Sequence, residues 1–188
     1  MARLRSLGHG TGRECRRFGG RRVSDFGAVR LDEHGFSLLL EEHERVILGD
    51  LAAQLIQVLE DPEDPVAERL YPDAYPDDAE ASAEFRRLTR GDLDDARIAG
   101  ATLLLETIPE DQDAPILPLD RAGAERVMRS LGDLRHVLAE RLGISVASPE
   151  GDPNDQFTML YDWLGYLQES LVLALVSGDE ESGRLARA

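Results

Sequence analysis

The chain has 188 residues, 21 basic and 37 acidic side chains, and a formal net charge of −16; every basic residue is arginine. That balance excludes an ordinary basic nucleic-acid-binding domain and disfavours an anionic membrane surface. A hydrophobic fraction of 42% excludes wholesale disorder and leaves room for one substantial core.

The charge is divided. Residues 1–22 hold seven arginines and one acid, Glu14, for +6, and the other 166 residues carry −22. This first segment is rich in glycine and arginine and has no hydrophobic period, so the composition predicts a flexible basic arm over 1–22. The apolar pattern begins at Val23, which makes that position an alternative translation start to Met1. No apolar h-region follows the basic N-terminus. The longest apolar run, Leu171–Val176, is far short of the roughly 20 residues needed to cross a bilayer, so the cytoplasm is the expected compartment.

Val29 and Leu31 alternate, Gly35 suits a turn, and Phe36, Leu38 and Leu40 follow; this predicts a short β-hairpin packed on helices. A first helix is predicted from Glu41 to about Glu60, with Ile47, Leu48, Leu51, Leu55, Val58 and Leu59 at helical spacing. Pro62 and Pro65 end it, and one helical turn is expected from Val66 to Leu70. Two Tyr-Pro steps, at Tyr71 and Tyr75, make an ordered connector. Asp77 or Asp78 then caps a helix over 79–90 with Phe85 and Leu88 on its buried side. Gly91 breaks that helix, and Asp92 caps another over 93–107. Three prolines and three acids make 108–118 a loop. Asp120 caps a helix with a Val127, Leu131, Leu134, Leu138 and Leu142 stripe, which Arg141-Leu142-Gly143 ends. The last helix runs from about Asp155 to Val176 with two apolar stripes. Phe157, Leu160, Leu164, Leu167, Leu171 and Ala174 form one, and Met159, Trp163, Tyr166 and Leu173 the other. A helix apolar on two sides is either central in the core or shared with a partner subunit, a second copy included. The sum is a mainly α fold. It is a five-helix orthogonal or bundle-like domain over 23–177 behind a short N-terminal β-hairpin, with a frayed tail over 178–188.

The residue patterns contain no catalytic, metal or cofactor signature, so no enzyme, metal or cofactor is expected. His34, Glu41, Glu42, His43 and Glu44 come nearest to a ligand cluster and read better as a solvated turn and helix start. His136 falls on the polar side of its helix. Gly8-His9-Gly10-Thr11-Gly12-Arg13 lacks the strand and the Gly-Lys-Ser/Thr ending of a phosphate loop. Asp92, Asp94 and Asp95 read as cap and first-turn acids. The one cysteine, Cys15, cannot form an intramolecular disulfide. Flanked by Arg13, Arg16 and Arg17, which favour thiolate, it is a candidate redox thiol. Arg13, Arg16, Arg17, Arg21 and Arg22 are candidate phosphate contacts for a nucleic acid, and Tyr71, Tyr75, Trp163 and Tyr166 are candidate partner contacts.

Four stretches carry a resemblance. They are Leu70-Tyr71-Pro72-Asp73-Ala74-Tyr75-Pro76-Asp77-Asp78; Glu84-Phe85-Arg86-Arg87-Leu88-Thr89; Leu131-Gly132-Asp133-Leu134-Arg135-His136-Val137-Leu138 with Arg141-Leu142-Gly143-Ile144; and Tyr161 to Leu171, YDWLGYLQESL. Together, over about residues 24–177, the chain resembles the actinobacterial family named after the oxidative-stress regulator AosR, formerly a domain of unknown function. The resemblance implies a cytoplasmic regulator acting on transcription in oxidative stress, with a stress sigma factor as partner. Because family genes tend to sit beside that of the protease adaptor ClpS, it also implies an alternative: a non-enzymatic adaptor or structural module linked to regulated proteolysis. The redox idea attached to the family needs a cysteine pair. This chain has Cys15 alone, outside the shared region, so an intramolecular switch does not carry over. The acidic body predicts work mainly through protein–protein contact, with DNA touched only indirectly or through the arm.

Overall fold

The computed structural model describes residues 14–18, 21–61, 64, 66, 70–109, 116–142 and 155–185. The chain begins with an antiparallel sheet of β1 (Glu14–Phe18), β2 (Arg21–Phe26), β3 (Val29–Asp32) and β4 (Gly35–Leu38), paired in that order. The predicted hairpin is its second half, β3 on β4, with Asp32 opposite Gly35. Gly27 and Gly35 take φ of 60° and 120°, left-handed values that a side chain would strain, at the β2–β3 and β3–β4 turns. Part of the segment expected to be a flexible arm is therefore strand. β1 and the start of β2 join the sheet through main-chain pairing, which needs no apolar alternation and leaves no periodic trace. Residues 1–13 lie outside the described residues. The outer edge of β4 is covered, since Phe36 and Leu119 exchange two main-chain hydrogen bonds of 2.8 Å.

Four helices follow among the described residues, not five: α1 (Glu42–Glu60), α2 (Ala79–Thr107), α3 (Arg121–Leu142) and α4 (Gln156–Leu185). The predicted helices 79–90 and 93–107 are one element. Gly91 lies in open space with no positive φ, and an interior glycine costs a helix only about 1 kcal/mol, while Arg90 and Asp94 on either side of it tie the helix to Tyr71. Asp92 is consequently a mid-helix residue and not a cap. The expected caps at Asp78 and Asp120 are present, and Glu41, expected as the first helical residue, caps α1 instead. The Asp78 carboxylate accepts from Ala81 N–H at 2.9 Å, that of Asp120 accepts from Gly123 N–H at 2.7 Å, and Glu41 N–H donates to Glu44 at 2.8 Å. At its far end α4 continues through residues 178–185, where a frayed tail was expected.

Two further readings are corrected by burial. Phe85 and Leu88, placed on the inner side of α2, are exposed, as is Phe157 at the start of α4. The continuous α2 sets one angular phase over its whole length, and that phase buries Gly100, Ala101 and Leu104 instead. Leu48, Leu55, Leu104, Val127, Leu131, Leu164, Leu167 and Leu171 are fully buried and fill the space between helices, with Val29 reaching in from the sheet. α2 packs between α1 and α3, and α3 lies along α4, whose next flank carries β2 and β3. Close approach of α2 and α3 needs Gly100: a Cβ there would sit 2.7 Å from Ser130 Oγ.

Candidate interaction surfaces

The connector between α1 and α2 is held by polar contacts that its sequence supplies locally. Ser82 Oγ donates to the Tyr75 carbonyl at 2.8 Å and accepts from Tyr75 N–H at 3.0 Å, and Arg86 pairs with Asp73. Tyr71 is buried beneath it. Its phenol donates to Asp94, and the guanidiniums of Arg90 and Arg97 lie 3.9 and 4.9 Å from its ring centroid. Arg90 also meets Asp94 at 3.2 Å, while Arg97 pairs with Asp133 on α3 and donates to the Leu70 carbonyl at 2.8 Å. Burial and the Asp94 hydrogen bond hold the Tyr71 phenol far above its ordinary pKa, against the opposing pull of the two arginines. Burial also raises the Asp133 carboxyl above the usual carboxylate range, with Arg97 pulling it back. A cleft of about 180 Å³ opens beside this network, between the connector and Phe85, Thr89 and Leu93 of α2. On its rim the Tyr75 and Phe85 rings meet edge-on at 6.2 Å.

A second, shallower recess of about 520 Å³ runs along α4, between Arg135 of α3 and Gly165, Tyr166, Glu169 and Val172 of α4. Arg135 donates to Gln168 at 2.9 Å and lies 4.5 Å from the Tyr161 ring centroid. The four candidate aromatics thus separate. Tyr71 is locked in its network, and Trp163 ties α4 to α1 by donating to Glu44 at 3.0 Å. Tyr75 and Tyr166 are 50% and 47% exposed, on different surfaces. Val172 and Val176 of α4 fall outside both stripes read in the sequence, and the structure leaves them exposed.

Cys15 stands opposite Ser24 in the β1–β2 pair. The same hairpin brings together Arg16, Arg17, Arg21 and Arg22, with Arg17 opposite Arg22; Arg13 lies outside the described residues. Glu41 to Glu44 do not converge with His34. His43 lies 3.6 Å from Glu41, and His34 lies 3.5 Å from its neighbour Glu33. Asp94 is engaged as described, and the exposed His136 ring meets the Gly132 carbonyl at 2.8 Å. Among the described residues no three His, Cys, Asp or Glu side chains are placed to hold a metal ion, and no helix is long and apolar enough to cross a membrane.

Comparison with known proteins adds the relatives. A family model described as a domain of unknown function, DUF2017, matches residues 27–175. A Mycobacterium leprae protein named putative oxidative stress regulator AosR is 36% identical over 133 residues, which cover 62% of this chain and 60% of that protein. Proteins named oxidative stress regulator AosR in Mycobacterium bovis and Mycobacterium tuberculosis are each 29% identical over 212 aligned positions, covering 88% of this chain and 96% of theirs. No solved structure matches the chain.

Proposed function

From the premise that the chain belongs to the DUF2017 family, whose model spans residues 27–175, we propose that it is a transcription-associated regulator of the oxidative-stress response, acting mainly through protein–protein contact. The observation that carries the reading is the name shared by its mycobacterial relatives, two of them aligned over 96% of their length. The chemistry of the chain agrees with it: two accessible aromatic surfaces, an acidic body, and arginines gathered on one hairpin. An acidic body repels a phosphate backbone, so the contact is with protein, and a stress sigma factor is the partner we favour. DNA, where touched, is touched through the β1–β2 arginines.

The test is a disruption of the gene, complemented by the full chain and followed by transcript profiling under peroxide. The expected outcome is loss of the oxidant-induced transcripts and their return on complementation; an unchanged response would sink the proposal. Direct DNA contact is read separately by titrating a promoter fragment with purified chain. Weak, salt-sensitive binding is expected, and it should be lost when Arg13, Arg16, Arg17, Arg21 and Arg22 are changed to glutamine. Substitution is preferable to deletion here, because removing residues 1–22 would take β1 out of the sheet. Tight sequence-specific binding by the glutamine variant would overturn the protein-contact reading.

A further inference from the structure

α4 buries one side against the core and meets α3 and the sheet on its flanks. Its remaining arc is open between Met159 and Val176. Tyr166, Val172, Leu173 and Val176 lie on that arc, 47%, 41%, 51% and 52% exposed, and Met159 extends the row toward the start of the helix. Ten residues of helix separate Tyr166 from Val176, so the apolar strip is about 15 Å long. Val172, Leu173 and Val176 are neighbours on adjacent turns, with Glu169 between them and Tyr166, and a group of exposed apolar side chains of this kind marks a contact surface, unlike single scattered ones.

The charges on the strip say what would cover it. Asp162 and Glu169 share the arc, one turn to either side of Tyr166, and among the described residues neither has a hydrogen-bond or ion-pair partner. Some helix-borne acids of this chain are answered by arginine, Glu84 by Arg87, Asp94 by Arg90, Glu125 by Arg121, and Asp179, also on α4, by Arg121, whereas Asp162 and Glu169 stand beside exposed apolar side chains with no such answer among the described residues. Arg135 lines the adjoining recess, but its guanidinium is turned to Gln168 and Tyr161. A second copy of the chain fits poorly. A two-fold contact through this face would bring one acidic face against another on two bodies of −16 each, with no basic side chain exposed on the face to answer Asp162 and Glu169 among the described residues. At the floor of the recess the Arg135 guanidinium lies over Gly165, where a Cβ would come within 3.4 Å of it, and the recess opens beside Tyr166 and Val172.

We infer that the outer face of α4 is the docking site for an amphipathic, positively charged α-helix of a partner protein, its apolar residues on Val172, Leu173 and Val176 and its arginine or lysine side chains on Asp162 and Glu169. Ridges of one helix seat in the grooves of another at this spacing, and helix-in-groove recognition uses the same i, i+3, i+4, i+7 anchors. The inference rests on the partner-contact reading for the existence of a partner, and specifies the surface and the chemistry of what binds there.

The experiment uses the full chain and a labelled synthetic peptide of about five helical turns with leucine on one face and arginine flanking it, read by fluorescence anisotropy. The control peptide has glutamate in place of each arginine. The arginine peptide should bind and the glutamate peptide should not. Leu173→Asp should weaken binding at least about tenfold, the size of effect expected from charging the apolar centre of a contact. Asp162→Asn with Glu169→Gln should weaken it too and flatten its salt dependence, whereas Leu88→Asp on exposed α2 should leave it unchanged. Circular dichroism checks that each variant keeps its helix content. No binding of the arginine peptide, equal binding of both peptides, or indifference to Leu173→Asp would overturn the inference. So would a wild-type dimer that Leu173→Asp dissociates, which assigns the face to a second copy. A marked gain in affinity on changing Arg3, Arg5 and Arg13 to glutamine would assign it to the chain's own N-terminus. The two proposals fail separately. A normal peroxide response in the gene disruption removes the regulator reading while leaving the peptide result intact, and loss of peptide specificity for α4 removes the docking site alone.

Discussion

The Tyr71 phenol donates to Asp94 while two guanidiniums stack on its ring, so one side chain holds the connector, α2 and, through Arg97 and Asp133, α3. Tyr71→Phe removes a single hydrogen bond and keeps the packing, and should cost about 1 kcal/mol of stability near neutral pH. Its pH dependence has a definite sign. The folded phenol is held above its ordinary pKa, chiefly by burial, while the unfolded one ionises near ~10. The folded chain therefore keeps a proton that the unfolded chain loses, and this contribution, whole below ~10, falls away as pH rises further. The difference between wild type and Tyr71→Phe in urea unfolding should shrink from about pH 9 to pH 11; a constant difference would count against a buried neutral tyrosine. Asp133 works in the acid range. Burial, opposed by Arg97, raises its carboxyl pKa, so the folded chain takes that proton before the unfolded chain does. Its ionised form costs stability at neutral pH, and the cost is relieved as pH falls through the raised value. Whatever the offset at neutrality, wild type should gain stability relative to Asp133→Asn on acidification, measured by the same unfolding curves.

Helix α2 is where sequence and structure part most clearly. The starts of α1, α2 and α3 are legible because Glu41, Asp78 and Asp120 act through contacts within a single turn. The continuity of α2 is not, because the cost of Gly91 is local while the contacts that offset it are with Tyr71 and Asp133 and along the buried 100–107 half, all distant in sequence. The burial of Tyr71 was equally hidden, since it depends on Arg90, Arg97 and Asp94, which meet it only after the connector folds back. The α4 surface was half legible. Its second stripe was visible, but periodicity shows that a face is apolar and not whether anything covers it. Gly91 gives the test at this scale. Gly91→Ala meets nothing within 4 Å and removes the entropy cost of an interior glycine, so it should stabilise the chain by about 0.5–1 kcal/mol in thermal or urea unfolding. Two helices broken at residue 91 would show no such gain.

For the molecule as a whole, the charge imbalance is the first consequence. A body carrying so many more acids than arginines repels itself, and salt screens that repulsion. Thermal unfolding should shift upward between low and moderate sodium chloride, the reverse of what a fold held by surface ion pairs would do, and a calorimetric scan at two salt concentrations decides it. The second consequence lies in the seam between the sheet and α4. Ala28 N–H donates to Ser170 Oγ at 3.2 Å across 142 residues of chain, and a Cβ on Gly178 would touch Leu31 and Phe36. The sheet is thus completed by α4, a helix far along the chain from it. During synthesis the strands carrying Phe26, Val29, Phe36 and Leu38 wait uncovered until α4 has been made, and a product truncated before residue 156 never covers them. Quality control would meet such a fragment as an exposed apolar sheet, so premature termination should yield rapid degradation instead of a partly working domain.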